Sequence, residues 1–140
     1  MQGTTLNSLI GYHLRRTSTL VTSHLVDTLK PLGLRPVTFS ILCLLREAPG
    51  LTSSDITRRL GLKSANTATL LGELEARGWI ERRDDEKDRR VTHLHLTDTA
   101  VTTLEEALTL AREHEEDRFS ALDSTERQTL KALLARVWQE

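Results

Sequence analysis

Cysteine is almost missing from this chain: its 140 residues include one, Cys43, so no intrachain disulfide can form. Cys43 lies in the run Phe39-Ser40-Ile41-Leu42-Cys43-Leu44-Leu45 with no basic neighbour beside it, which marks the thiol as a buried filler rather than a peroxide sensor. Aromatic residues are scarce, at 4%, leaving the core to Leu, Val, Ile and Ala and favouring packed helices. Long apolar runs are missing too. The longest, Ile41 to Leu45, is far below the roughly 20 residues that cross a bilayer, and no basic-then-apolar signal pattern opens the chain. A cytoplasmic location without membrane contact is expected. No nucleophile and base stand at a recognisable motif spacing, no glycine-rich phosphate loop follows a strand, and HExxH does not occur. Neither an enzyme nor a cofactor is expected.

A strong excess of one charge sign is also lacking, the net charge being −1 at neutral pH, so the distribution has to be read instead. Residues 35–97 carry 11 Lys/Arg against 9 Asp/Glu, whereas residues 98–140 carry 5 against 10. The last third is therefore unsuited to facing phosphate. Arg82, Arg83, Lys87, Arg89 and Arg90 crowd into nine residues, interleaved with Asp84, Asp85, Glu86 and Asp88. That cluster is where an anion is best met.

The length suits one domain with its own core. Leu6, Leu9, Ile10, Leu14, Leu20, Val21, Leu25 and Leu29 recur at helical steps, predicting a long first helix capped by Asn7 or Thr5 and stopped by Pro31 and Gly33. Pro36 suits the first turn of a second helix, apolar from Val37 to Leu45, which Ala48-Pro49-Gly50 breaks. Thr52 or Ser53 caps a short helix ending at Gly61, and Ser64 or Asn66 caps the next, with Leu70, Leu71 and Leu74 on one side and Gly78 at its end. Two short helices joined by the glycine-containing turn Gly61-Leu62-Lys63 form a helix-turn-helix. The periodicity then changes. Trp79–Arg83 and Val91–Thr97 suit two strands, with residues 84–90 as the hairpin tip. Thr97 or Asp98 caps a fifth helix with Val101, Leu104, Leu108 and Ala111 inward, and Asp123-Ser124-Thr125-Glu126 reads as a capping box before a sixth.

Leu60-Gly61-Leu62, then Leu70 through Arg82, then Asp88-Arg89-Arg90 and Leu94-His95-Leu96-Thr97 resemble the MarR family of regulators. The resemblance implies a mainly α winged helix-turn-helix with a small β-hairpin wing and six helices, assembled as an intertwined triangular homodimer. Residues 1–34 and 98–140 would supply dimerisation helices and residues 35–97 the DNA-binding region, all within one integrated domain. The end helices independently carry more apolar stripe than a winged domain of about 60 residues covers alone. Leu6, Leu9, Ile10, Leu130, Leu133, Leu134 and Val137 are the interface candidates. The family function is transcriptional regulation through a palindromic operator in duplex DNA, by default repression, with release by a small phenolic or acidic effector.

A major groove about 12 Å wide accepts a helix with small residues at its leading edge, and residues 64–69 meet that limit. Lys63 and Ser64 are assigned to phosphate, and Asn66, Thr67 and Thr69 to base edges, with plain capping as the alternative. No Arg or Lys lies between Ser64 and Leu74, a departure from the common family pattern that disfavours bidentate guanine reading and shifts the burden to the wing and to Arg58 and Arg59. The segment Asp88-Arg89-Arg90 matches the family's wing motif, in which an arginine enters the minor groove and an aspartate helps hold the loop. Arg90 is the first candidate for the groove and Arg89 the second. A winged-helix protein-interaction module without strong DNA binding is the alternative function.

His13, Arg16 and His24 lie along the first helix, where an acidic effector would be met. His13 and His24 are eleven residues apart, about 16 Å along a helix, so they cannot share one metal ion directly; His114, distant in sequence, can approach them within the dimer. No metal site is expected.

Overall fold

The long first helix starts later than its apolar spacing predicts. In the computed structural model, which describes residues 5–139, Leu6–Ser8 form a 3-10 turn and helix α1 runs Ile10–Leu29. Neither Thr5 nor Asn7 caps it. Leu9 stands at the N-cap in an extended conformation with no side-chain cap bond, so Leu6 and Leu9 fall outside the helix. Residues 1–4, at the head of the 1–34 segment, and residue 140, at the end of the 98–140 segment, lie outside the described residues. A second 3-10 turn, Lys30–Leu32, carries the chain to Gly33, whose φ of 71° is the left-handed conformation that glycine adopts without penalty. The Arg77 guanidinium fills the space a Cβ would need there, donates to the Gly33 carbonyl at 2.6 Å and lies 3.9 Å from the Trp79 ring centroid.

Helix α2 (Pro36–Glu47) opens on the predicted proline. Helix α3 (Ser53–Leu60) opens on a reciprocal box in which Thr52 Oγ1 accepts the Asp55 N–H and Asp55 accepts the Thr52 N–H. Gly61, at φ 65°, ends it and turns the chain into α4 (Ser64–Ala76). Strands β1 (Ile80–Asp84) and β2 (Thr92–Leu96) form one antiparallel hairpin, with Ile80 opposite Leu96 and Asp84 opposite Thr92. The outer edge of β2 is held by the turn before α3: Gly50 N–H donates to the Leu94 carbonyl and Leu94 N–H to the Leu51 carbonyl, each at 2.9 Å. Thr97 caps α5 (Asp98–Arg118), and the predicted Asp123–Glu126 box opens α6 (Ser124–Trp138).

One core joins these elements. Ile41, Leu42, Leu45, Ile56, Leu71, Leu74, Leu94 and Leu104 are fully enclosed; each such side chain contributes about 1.5–3 kcal/mol relative to exposure. Leu70, Leu71 and Leu74 are buried together, as their spacing predicts. Of the stripe expected on α5, Leu104 is buried and Leu108 packs against the core, whereas Val101 is exposed, and Ala100 and Ala107 are buried in addition. Helix α6 buries none of its residues within the chain.

Candidate nucleic-acid interface

The start of α4 differs from the starts of α3, α5 and α6. Those three are capped by Thr52, Thr97 and Asp123, whereas the N-cap of α4 is Lys63 and no side chain accepts from its first turn. Ser64, expected as a cap, is instead the first helical residue, and Asn66 is the third. The amides of an uncapped first turn point outward with the positive end of the helix dipole, an arrangement suited to phosphate. Ser64, Ala65, Asn66, Ala68 and Thr69 are exposed, giving a leading face of small side chains. Thr69 donates its hydroxyl back to the Ala65 carbonyl at 3.1 Å, leaving its methyl and an oxygen lone pair outward.

Thr67 does not belong to that face. It is fully buried, accepts from Thr57 Oγ1 at 2.8 Å and donates to the Lys63 carbonyl at 3.3 Å. The helical rotation that turns Asn66 and Thr69 outward aims Thr67 at α3, where its hydroxyl locks the two helices of the helix-turn-helix together. It is a packing residue and not a base-reading one.

The hairpin supplies the cations. Arg90 is 91% exposed in its side chain, yet its direction is fixed: Asp88 Oδ1 accepts the Arg90 N–H at 3.0 Å and Nε at 3.1 Å, and Asp88 Oδ2 accepts Nη2 at 3.2 Å. Those bonds hold the Asp88 carboxyl below its ordinary pKa, the Arg90 side chain contributing most. Arg89 is exposed and has no ionic partner among the described residues. Arg82, Arg90, Val91 and Thr92 face Thr52, Ser53 and Ser54 across a shallow cleft, so the hairpin stands beside the start of α3. Arg82 also pairs with Glu75 of α4. Arg58 is exposed and bonded to Asp55 at 3.1 Å, while Arg59 has no partner among the described residues.

Sequence reasoning missed Asp85 and His93. Asp85 Oδ2 accepts the N–H groups of Lys87 and Asp88 at 3.0 and 2.9 Å, and His93 bridges Asp85 to the Gly50 carbonyl. An aspartate with turn residues two and three positions on was a usable signal for a loop closed by its own side chain. Nothing in the alternation of β2 distinguished His93 from a solvent-facing position.

The three effector candidates are not brought together. His13 Nε2 lies 2.8 Å from the Asn7 carbonyl and Arg16 reaches the Tyr12 hydroxyl at 3.5 Å, both near the start of α1. His24, farther along α1, meets His114 of α5 within the same chain, ring centroids 6.5 Å apart, so this approach needs no second subunit. His114 Nε2 and Arg118 Nε beside it are enclosed with no hydrogen-bond partner among the described residues. No group of three metal-binding side chains occurs among the described residues. Cys43 is half-buried, and burial first, then Glu47, pushes its thiol up to about 11. Ile10 and Val137 are each 79% exposed, Leu6, Leu9 and Leu133 are exposed, and Leu130 and Leu134 are half-exposed.

A family model described as the MarR family matches residues 34–92. The transcriptional repressor MprA of Escherichia coli (strain K12) is 33% identical over 111 residues, 78% of this chain and 63% of that protein, so the chain spans just under two thirds of this relative. The solved structure of the transcriptional repressor CouR bound to a 23-mer DNA duplex superposes with a TM-score of 0.90 at 33% identity, covering 98% of this chain and 97% of that one. CouR from Rhodococcus jostii RHA1 bound to p-coumaroyl-CoA superposes with a TM-score of 0.88 at 25% identity, covering 99% and 98%.

Proposed function

The chain belongs to the MarR family, and from that premise we propose that it is a homodimeric transcriptional repressor that reads a palindromic operator and is released by a small acidic effector. The observation that carries this reading is the exposed, uncapped start of α4 with its small polar side chains, flanked by a hairpin that carries Arg89 and Arg90. Lys63, Ser64 and the first-turn amides take phosphate, and Asn66 and Thr69 take base edges, with Thr69 offering a methyl to thymine. Arg90, aimed by Asp88, enters the adjoining minor groove with Arg89 behind it, and Arg58 and Arg59 serve the flanking backbone.

Two subunits are needed to cover the end helices. Helix α6 buries no residue of its own, and Ile10, Leu133 and Val137 leave an apolar surface that a partner copy would bury together with Leu6, Leu9, Leu130 and Leu134. Residues 1–34 and 98–140 then serve dimerisation and residues 35–97 DNA binding. For the effector, His24, His114 and Arg118 form a better receptor than His13 and Arg16, because two of their nitrogens are enclosed without acceptors. A bound carboxylate or phosphate would satisfy them, and it lowers DNA affinity only by favouring one spacing of the two wings. The reading assigns no catalytic step and a cytoplasmic location; among the described residues no single helix is long and apolar enough to cross a membrane.

Selection of bound sequences from a random duplex pool tests the proposal. A palindrome with half-sites about 34–36 Å apart is expected, and a single unpaired half-site overturns the dimeric reading. The second reading, a protein-interaction module, is favoured by the absence of Arg or Lys from the exposed face of α4. It requires random-duplex binding to be weak and nearly independent of salt, whereas phosphate contacts release counterions and give a steep slope.

A further inference from the structure

The hydrogen bonds of His93 fix its charge. This β2 side chain has Nδ1 2.8 Å from the Gly50 carbonyl oxygen and Nε2 2.8 Å from Asp85 Oδ1. Neither oxygen brings a hydrogen, so both ring nitrogens must donate, which only the imidazolium does. Asp85 is kept ionised: the His93 bond and then the Lys87 and Asp88 amides on its other oxygen hold its carboxyl below the ordinary range. Beyond Asp88 the chain of bonds continues to Arg90. An unbroken path therefore runs from the turn at Gly50, itself tied to Leu94, through His93, Asp85 and Asp88 to Arg90.

We propose that His93 is a positioning residue of the hairpin: its imidazolium ties the loop bearing Arg90 to the turn before α3, so that DNA binding is proton-linked through a side chain that itself touches no DNA. The inference rests on the reading that the hairpin meets DNA. Other groups facing His93 are Arg83, opposite it on β1, Asp55 of α3, and His95 on its own strand. The Asp85 bond, then the Gly50 carbonyl, raise the His93 pKa above its ordinary 6.5. The sign follows. The latch is complete below that ordinary value and is lost as pH rises through the elevated one, so DNA affinity falls toward alkaline pH. His95 does not imitate this, since burial first and then Arg83 lower its pKa.

The test follows the full-length protein by fluorescence anisotropy from pH 6 to 9 at fixed ionic strength, on a duplex selected by the wild type at pH 6, beside an NMR titration of the His93 ring. At least about a fivefold loss of affinity is expected, with its midpoint matching the His93 titration and lying above 6.5. In Asp85→Asn the amide can donate to a neutral Nε2 while Nδ1–H still donates to Gly50, so the loop stays latched without charge and the pH dependence disappears. His95→Gln should retain it. A flat wild-type profile, an Asp85→Asn profile like the wild type's, loss of the dependence in His95→Gln, or a His93 midpoint at or below 6.5 overturns the proposal. Failure of the wild type to bind any duplex sinks the DNA reading alone, because the ring titration and the amide exchange of residues 86–89 still report on the latch.

Discussion

Thr67→Val exchanges a hydroxyl for a methyl of nearly the same shape at a position with no solvent exposure. Two hydrogen bonds are lost, the one from Thr57 Oγ1 at 2.8 Å and the longer one to the Lys63 carbonyl at 3.3 Å. Neither partner is stranded: the single Thr57 hydroxyl hydrogen, shared between Thr67 and the Ser53 carbonyl, turns wholly to that carbonyl at 2.9 Å, and the Lys63 carbonyl keeps the Thr67 N–H at 3.0 Å. The loss is therefore the net worth of one good and one weak neutral bond, about 1 kcal/mol. An unfolding entropy of about 2.1 cal/mol/K per residue over 140 residues turns this into a Tm lower by about 3 °C. DNA affinity of the folded protein should stay within about twofold. Asn66→Ala should do the reverse, leaving Tm in place and removing about 1–3 kcal/mol of operator discrimination. Thermal unfolding by circular dichroism and anisotropy on one duplex measure both. A Thr67→Val protein with unchanged Tm and weakened binding would refute the inward placement of Thr67 and restore it to the reading face.

Arg90→Ala should weaken binding to the selected operator about fivefold or more while sizing chromatography shows the dimer intact; undiminished affinity rejects its role. Val137→Asp places a charge on the apolar surface of the proposed subunit contact and should shift the protein to monomer at micromolar concentration, whereas an unchanged elution volume removes Val137 from the interface. Cys43, its thiol held up to about 11, should remain reduced under mild peroxide at neutral pH with operator binding unaltered, and oxidation at the rate of a free thiol would contradict that placement.

The elements were legible because their signals are local. Pro36, the Thr52 cap, the Asp123–Glu126 pair, Gly61 and the leucines of α4 each state their role within four residues. The errors came where a long-range neighbour decides. Thr67 reads like Asn66 and Thr69 until α3 is packed against it, and Val101 reads like Leu104 although Ala100, and not Val101, takes the buried place at the start of α5. His93 and Gly50 are 43 residues apart in sequence, a separation across which no periodicity speaks. His24 and His114 likewise meet only because α1 and α5 lie side by side.

The cations nearest α4 also decide what kind of reading this interface can perform. Glu73 and Glu75 make the later part of the helix acidic, and Arg35 at the N-cap of α2 and Arg82 of β1 are taken up in pairing with them. Those two arginines hold the helix in place and are not free for phosphate. Within residues 35–97 the cations left without a side-chain partner are Arg59, Lys63, Lys87 and Arg89, at the edges of the face and not at its centre. A helix so arranged approaches bases closely through Ala65, Ala68 and Thr69 but offers no guanidinium to a guanine edge. On the proposed reading, discrimination comes in large part from groove width and bendability, sensed by Arg90 in the minor groove. If Arg90 reads the groove as proposed, its direction carries an unusual share of specificity, and the bonds of Asp88 to Arg90 and of His93 to Asp85 are what aim it.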